Sequence, residues 1–423
     1  MLDAKLIRQE PDRVKTGVRA KNTDPALVDR WLDTDRKRRE AVAEVEVKKA
    51  ERNAASKQIG ARLKTGGDVA EDQARVRSLG ETIKGLDERV RTLDEDLATL
   101  TLAIPNLPDP DVPVGDESNN VCVSTWGEPL RHPFDAVPHE ELGVRLGLFD
   151  FESASRMSGP GFAVFKGPGA RLERGLIQFM LDLHVREHGY TEVSTPFLVK
   201  PIAAQGTGQL PKLAEDMYRT DVDGLYLIPT AEVSITNMYA GSVLEEADLP
   251  LYHVGYSPCF RREAGSYGKE TKGLTRIHQF DKVEMVKFVH PDRSEEELES
   301  LRNNAEAVLR ALGLTYRVVT LASGDLSFAA AKCYDLEVWA PATERWLEVS
   351  SCSNFRDFQA RRADIRFRPT GGGKTQYLHT LNGSGLALPR TVIALLETYE
   401  TERGTVALPE AIRPYLGGLA ELG

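Results

Sequence analysis

The chain has 423 residues, 41% of them apolar and 28% charged, which is too long for one ordinary hydrophobic core and implies two or more domains with a water-facing surface. The net charge of −10 argues against a general nucleic-acid binder, although a local basic patch is compatible with it. The first ten residues carry charge throughout and do not resemble a signal peptide, and no apolar run of about 18 residues could span a bilayer, so the cytoplasm is the expected compartment.

Residues 27–100 hold almost no proline and few aromatics. Val76, Leu79, Ile83, Leu86, Val90, Leu93, Leu97 and Leu100 follow one another in alternating steps of three and four, the period of a coiled-coil seam. The segment 25–64 is also helical by composition, with a weaker seam of Trp31, Val42, Val45, Ile59 and Leu63. Gly66-Gly67-Asp68 can turn the chain between them, which predicts an antiparallel helical hairpin with a first helix on the order of 55 Å long. Residues 35–64 contain ten Lys/Arg against five Asp/Glu, whereas residues 71–100 contain five against eight. The first helix therefore carries a positive surface, either ion-paired to its neighbour or turned toward nucleic-acid backbone.

Ile104-Pro-Asn-Leu-Pro-Asp-Pro-Asp-Val-Pro113 has four prolines and marks a boundary. The expected organisation is a first domain over 1–103, a proline-rich linker over 104–120 and a second domain over 121–423. In the second domain, helices are predicted at 170–188, 294–312 and 388–399. Strands are predicted at 190–196, 225–229, 251–262, 276–288, 315–320, 332–340 and 346–351. The order suggests an α+β fold with a mainly antiparallel sheet. Cys122, Cys259, Cys333 and Cys352 form no Cys-x-x-Cys pair and have no histidines spaced as zinc ligands, so buried or incidental thiols are expected, with neither disulfide nor zinc.

Four patches place polar groups in otherwise core-like segments. Thr230-Ala231-Glu232 has a hydroxyl and a carboxylate at spacing two, able to hold an ammonium or simply to cap a helix. Phe260-Arg261-Arg262-Glu263 and Thr275-Arg-Ile-His-Gln-Phe280-Asp-Lys-Val-Glu284 read as two strands joined by a charged loop. Phe280 and Glu284 share a face and lie roughly 13 Å apart, a ring at one end and a carboxylate at the other for a long polar ligand. Arg261 and Glu263 would share a face of the neighbouring strand. A generic hairpin would instead turn its Arg and Glu to solvent. Glu348-Val349-Ser350-Ser351 offers Glu348 as a magnesium ligand or as a paired edge carboxylate. Leu381-Asn382-Gly383-Ser384-Gly385 runs into a helix opened by Arg390, so its glycines would let backbone approach a ligand and the arginine would meet phosphate charge. Neither a P-loop nor a dinucleotide-binding Gly-x-Gly-x-x-Gly is present, so a nucleotide would be held by arginines and a sheet face.

These segments resemble a known family. Gly189-Tyr-Thr-Glu-Val-Ser-Thr-Pro196 resembles motif 1 of class II aminoacyl-tRNA synthetases, Phe260-Arg261-Arg262-Glu263 with its loop and second strand resembles motif 2, and Gly383-Ser-Gly-Leu-Ala-Leu-Pro-Arg390 resembles motif 3. The helical hairpin, the Thr230-Ala231-Glu232 loop and Ala411-Ile-Arg-Pro-Tyr-Leu-Gly-Gly418 narrow the resemblance to seryl-tRNA synthetases of the bacterial type, over essentially the whole chain. One departure is Pro389, where the family commonly has glycine; proline fits the first helical turn.

The resemblance implies a serine–tRNA ligase. Serine and ATP would give seryl-adenylate and pyrophosphate, and serine would pass to the 3′ end of tRNA(Ser); use of tRNA(Sec) depends on the organism. It also implies an antiparallel-sheet catalytic domain, a homodimer formed through motif 1 and a hairpin arm that reaches the long variable arm of the tRNA. Thr230, Ala231, Glu232, Glu284, Asn382 and Ser384 would form the serine site. Arg261, Arg262, Glu263, Phe280, Glu348, Val349, Ser350, Ser351 and Arg390 would form the ATP site, with Mg2+ on Glu348 and Ser351. Arg261 would meet the α-phosphate, Arg390 the γ-phosphate and Phe280 the adenine. Lys269 and Lys272 would guide the acceptor end of the tRNA. A pocket that hydrogen-bonds the serine hydroxyl would reject alanine about 10⁴-fold or more, whereas threonine would be rejected by space. Two rivals are a class II-like ligase that loads a non-tRNA carrier, for which a long basic hairpin has no use, and a non-catalytic coiled-coil scaffold, which would not keep every polar motif position filled.

Overall fold

The structure is a computed structural model that describes residues 1–264 and 272–423. Its chain divides into two compact units, Met1–Pro105 and Asn106–Gly423.

The first unit opens with two short helices, α1 (Ala4–Gln9) and α2 (Pro11–Ala20), followed by a hairpin of α3 (Ala26–Lys64) and α4 (Ala70–Ala103). All eight predicted seam residues of α4 are buried or half-buried, with Ile83 at 4% exposure. In α3, Trp31 and Val45 are buried, but Leu63 is 56% exposed because it lies in the last turn, where the hairpin ends. Gly66 takes φ +72° at the tip, a left-handed backbone that glycine adopts without strain. Arg38–Asp94, Lys49–Asp87 and Arg62–Asp72 pair across the helices, and Arg36, Lys37, Arg39 and Lys48 find carboxylates within α3. Much of the positive surface is thus ion-paired. Arg52, Lys84 and Arg91, together with Asp87 and Glu88, line a groove of about 430 Å³ against Gly80 and Ile83.

At the hairpin root, the buried Asp35 takes Arg8 Nη2 at 2.7 Å and Arg8 Nε at 2.9 Å, and Arg39 Nε at 3.0 Å. The Arg8 guanidinium also lies 5.7 Å from the centre of the Trp31 ring, whose Nε1 donates to Thr101 Oγ1 at 2.7 Å. This cluster ties α1 to both long helices.

The second unit is built on an eight-stranded sheet. Its strands are β1 (Val121–Trp126), β2 (Thr191–Glu192), β3 (Leu251–Phe260), β4 (Gln279–Val289), β5 (Tyr316–Thr320), β6 (Lys332–Ala340), β7 (Arg345–Asn354) and β8 (His379–Ala387), in the order β1-β5-β6-β7-β8-β4-β3-β2. Every pairing is antiparallel except that of the edge strand β2 with β3. Three helices, α5 (Pro168–His188), α7 (Ser294–Ala311) and α9 (Leu388–Thr398), pack on the back face over Met285, Leu336, Val338 and Leu381. The front face is partly covered by α6 (Glu232–Thr236) and α8 (Phe358–Ala363), where Ala231, Ile235 and Ala360 pack on Val286 and Phe288.

Several expected elements differ. The 190–196 strand pairs only at Thr191–Glu192, because it meets the sheet at its edge, and the 225–229 strand pairs only at Tyr226–Leu227 in a separate two-stranded ladder. The main difference is the glycine-rich segment before Arg390, for which no strand is predicted and which forms a central strand of the sheet. Its glycines face the back helices: a Cβ on Gly383 would lie 2.8 Å from Cys352 Sγ, and one on Gly385 would lie 2.3 Å from His184 Nε2. They serve close packing and not ligand approach. The proline-rich segment is held from Asn106 onward. Asn106 donates to the carbonyls of Ala329 and Phe355, Asp109 pairs with Arg356 and Asp111 with Lys332. All four cysteines are free, with Cys122 exposed and the other three buried. Among the described residues, no helix is long and apolar enough to cross a membrane.

Asp35→Ala should remove charge-assisted bonds worth about 1.5–3 kcal/mol, read as an earlier loss of helical signal in urea. The Arg8 hydrogen bond holds the Asp35 carboxyl below its ordinary range, with Arg39 adding to the effect. Its contribution is therefore present above the unfolded value of about 3.9 and lost as pH falls through the folded value, so the variant and its parent should converge in acid.

Candidate active site

Register places the front-face residues side by side. Phe280, Lys282 and Glu284 alternate along β4, opposite Cys259, Ser257 and Gly255 of β3. On the other side, Ser384 of β8 stands opposite Glu284 and Asn382 opposite Val286. The fully buried Glu284 accepts from Thr230 Oγ1 at 2.8 Å and from Asn382 Nδ2 at 2.8 Å, and it forms a short ion pair with Lys282. Lys282 was not among the predicted site residues. The period-2 pattern marks it, because it falls between Phe280 and Glu284 on the same face.

Thr230 and Glu232 are brought together at the start of α6. Thr230 Oγ1 accepts from the Glu232 backbone N–H at 3.2 Å, and Gln359 Nε2 of α8 donates to Glu232 Oε1 at 2.6 Å. Burial, with Glu284 nearby, pushes the Glu232 carboxyl up to about 7, opposed by Gln359, Lys282 and Arg261. Ala231 contributes a buried methyl to the cap.

Glu348 and Ser351 are three residues apart, an odd spacing that would set them on opposite faces of a regular strand. A bulge corrects this: Glu348 pairs with Glu337 and Ser350 with Leu336, so β7 carries one extra residue and Ser351 stands opposite Asp335. Glu348, Ser351, Asp335 and Glu337 thus share the front face. Asp335 was also missed, although Cys333, Asp335 and Glu337 alternate with Tyr334, Leu336 and Val338 as a visible polar face. Burial, with Glu348 alongside, pushes the Asp335 carboxyl well above its ordinary range. Val349 and Ser350 are not brought to this face. Val349 lies in the back core, and the buried Ser350 hydroxyl donates to the Ser384 carbonyl at 2.6 Å, linking β7 to β8 above the paired Ser353 and Asn382.

Arg390, in the first turn of α9, donates to the Glu348 carbonyl at 3.0 Å and lies 3.5 Å from its carboxylate. Arg261, Arg262 and Glu263 follow the end of β3 and lie outside its ladder, which corrects the expectation of a shared strand face. Glu263 has φ +51° and pairs with Arg276 at 2.9 Å, whereas Arg262 is exposed. The Arg261 guanidinium lies 5.1 Å from the centre of the Phe280 ring. Lys272 borders a small cavity with His139, Thr275 and Arg345, whereas Lys269 lies outside the described residues.

The donor set Glu348–Ser351 is all oxygen, partly open and bordered by arginine. It suits a hard cation that takes few protein ligands and completes its shell with phosphate and water. Among the described residues, no cluster of three or more His, Cys, Asp and Glu side chains is arranged to hold a metal by itself.

A polar, arginine-flanked face on an antiparallel sheet, with helices behind it, is the core of a class II aminoacyl-tRNA synthetase, and residues 216–399 match the family described as tRNA synthetase class II core domain (G, H, P, S and T). Residues 1–108 match the seryl-tRNA synthetase N-terminal domain. A serine–tRNA ligase of Thermomicrobium roseum is 55% identical over 424 residues, covering 100% of this chain and 95% of the relative. The seryl-tRNA synthetase of Pyrococcus horikoshii, solved in complex with ATP, superposes with a TM-score of 0.94 at 37% identity, covering 100% of this chain and 99% of that one. The cytoplasmic enzyme of Naegleria fowleri in complex with AMP gives a TM-score of 0.89 at 29% identity, covering 100% and 98%. The chain belongs to the seryl-tRNA synthetase family.

Lys282→Met should destabilise the protein by about 3–5 kcal/mol in chemical unfolding, because it strands a buried carboxylate. Adding Glu284→Gln should recover a large part of that loss. A double variant no more stable than Lys282→Met would contradict the pairing.

Proposed function

We propose that this chain activates L-serine with ATP, giving seryl-adenylate and pyrophosphate, and transfers serine to the 3′ end of tRNA(Ser). The observation that carries this reading is the alignment of Phe280, Lys282 and Glu284 on one strand face, with Thr230, Asn382 and Ser384 converging on its Glu284 end. A ring at one end and a charged hydrogen-bonding pocket at the other suit the two ends of an adenylate.

Under this reading, Glu284, Glu232 and Thr230 take the serine amine, and Asn382 and Ser384 lie near its hydroxyl. The serine carboxylate attacks the α-phosphorus as the bond to pyrophosphate breaks. Positioning and neutralisation of developing charge supply most of the acceleration. Arg261 turns from Phe280 toward the α-phosphate when adenine takes its place over the ring, and Glu263 helps to place the base. Arg390 leaves Glu348 for the γ-phosphate. Glu348 and Ser351 would hold Mg2+, which neutralises phosphate charge when bound. Because Val349 and Ser350 point elsewhere, only their backbone is left to meet ATP.

The hairpin is read as the tRNA-binding element, recognising shape and backbone more than sequence. The groove of Arg52, Lys84 and Arg91 supports this, since it gathers three cations from both long helices beside Asp87 and Glu88, with Arg91 paired along its own helix to Glu95. The same reading takes 1–103 as the tRNA-binding domain, 104–120 as the linker, 121–423 as the catalytic domain, a homodimer as the working form and the cytoplasm as its compartment. Nothing in the structure favours a non-tRNA carrier.

ATP–pyrophosphate exchange should depend on serine; exchange with another amino acid in its place would overturn the substrate. Glu284→Ala should abolish serine-dependent exchange. Removing residues 30–98 should spare exchange but abolish tRNA charging, and normal charging by the shortened chain would refute the role of the arm.

A further inference from the structure

Gln359 lies behind the proposed serine pocket. Its side chain is fully buried, and each of its hydrogen-bonding groups is engaged. Thr380 Oγ1 of β8 donates to Gln359 Oε1 at 2.7 Å, which fixes the orientation of the amide. Nε2 then donates to Glu232 Oε1 at 2.6 Å and to the Thr207 carbonyl at 3.1 Å. From Glu232 the bonds continue through its backbone N–H to Thr230, from Thr230 to Glu284, and from Asn382 back to Glu284. Thr380 and Asn382 lie two residues apart on β8, so the network begins and ends on one strand and closes into a ring. Glu232, Thr230, Glu284 and Asn382 are assigned to serine; Gln359 and Thr380 complete the ring from behind.

We propose that Gln359 is a positioning residue for the serine pocket, holding the Glu232 carboxylate in the orientation that receives the substrate. The inference rests on the assignment of Glu232 to serine. A carboxylate with one oxygen held by an amide N–H presents the other to the pocket. Without that donor, the buried group loses its anchor and its side chain is free to rotate. The adenine and phosphate end of the site lies beyond Glu284 and does not touch Gln359, so the effect belongs to serine and not to ATP.

The test uses the full chain with Gln359→Met, which keeps the size and removes the donors, and Gln359→Glu, which keeps the shape and places an acid against Glu232. The readout is serine-dependent ATP–pyrophosphate exchange. Gln359→Met should raise the serine KM at least ten-fold while the ATP KM stays within two-fold. Glu232 is faced by Glu284 and Lys282 from β4, by Arg261 and by Gln359. In the parent, the serine KM should fall as pH rises through about 7, where Glu232 ionises. In Gln359→Glu the new carboxyl must keep its proton to donate and two acids then share one site, so the fall of serine KM with pH seen in the parent should be lost or reversed. Serine KM values within two-fold of the parent, or an unchanged pH slope in Gln359→Glu, would overturn the proposal, and Gln359→Glu alone decides it if Gln359→Met does not fold. Glu232→Gln separates the two layers. If it leaves the serine KM unchanged, the pocket assignment itself is wrong. If it raises the KM while the Gln359 variants do not, only the role of Gln359 fails.

Discussion

A carboxylate with no exposed surface, Glu284, sits in the middle of an eight-stranded sheet, and the second unit is arranged around satisfying it. Taking such a charge out of water costs several kcal/mol unless partners restore what hydration gave. Here the partners come from different places: Lys282 from the same strand, Asn382 from β8 and Thr230 from the turn before α6. None is supplied by a neighbour in sequence other than Lys282. The pocket therefore forms only when the sheet and its cap have both assembled, and its polar groups are preorganised by the fold that surrounds them.

The same demand explains the two faces of the sheet. Behind β4 and β8, helices approach closely enough that Gly383 and Gly385 have no room for a side chain. In front, Ser384 and Asn382 of the same strand face Glu284. One strand thus alternates between residues small enough for helix packing and residues polar enough for chemistry. The glycines matter to the site indirectly, by fixing the depth of the strand against Leu301 and His184.

This alternation also marks how much could be read from the sequence. The arm was legible because a seam sustained from Val76 to Leu100 in steps of three and four has the period of paired helices and of little else. Phe280 with Glu284 was legible because a strand has a period of two. Lys282 obeys the same rule, yet a single lysine between two stronger signals reads as solvent-facing. The strand β8 was hidden, since glycine lowers strand propensity, while the packing that requires it is tertiary. Gln359 gave no local signal at all: its partners lie 21, 127 and 152 positions away. Arg261 and Glu263 were assigned a strand face because the point where a ladder stops is set by the turn that follows, not by propensity.

The extra residue in β7 has a wider consequence. It reverses parity within a single strand, so Trp346 and Glu348 count from one origin and Ser351 and Ser353 from another. Each segment can then accept substitutions under its own inside–outside rule without forcing the other to change. A bulge also increases local twist, and this one turns the Glu348 end of the strand relative to the Ser353 end, where β7 pairs with β8.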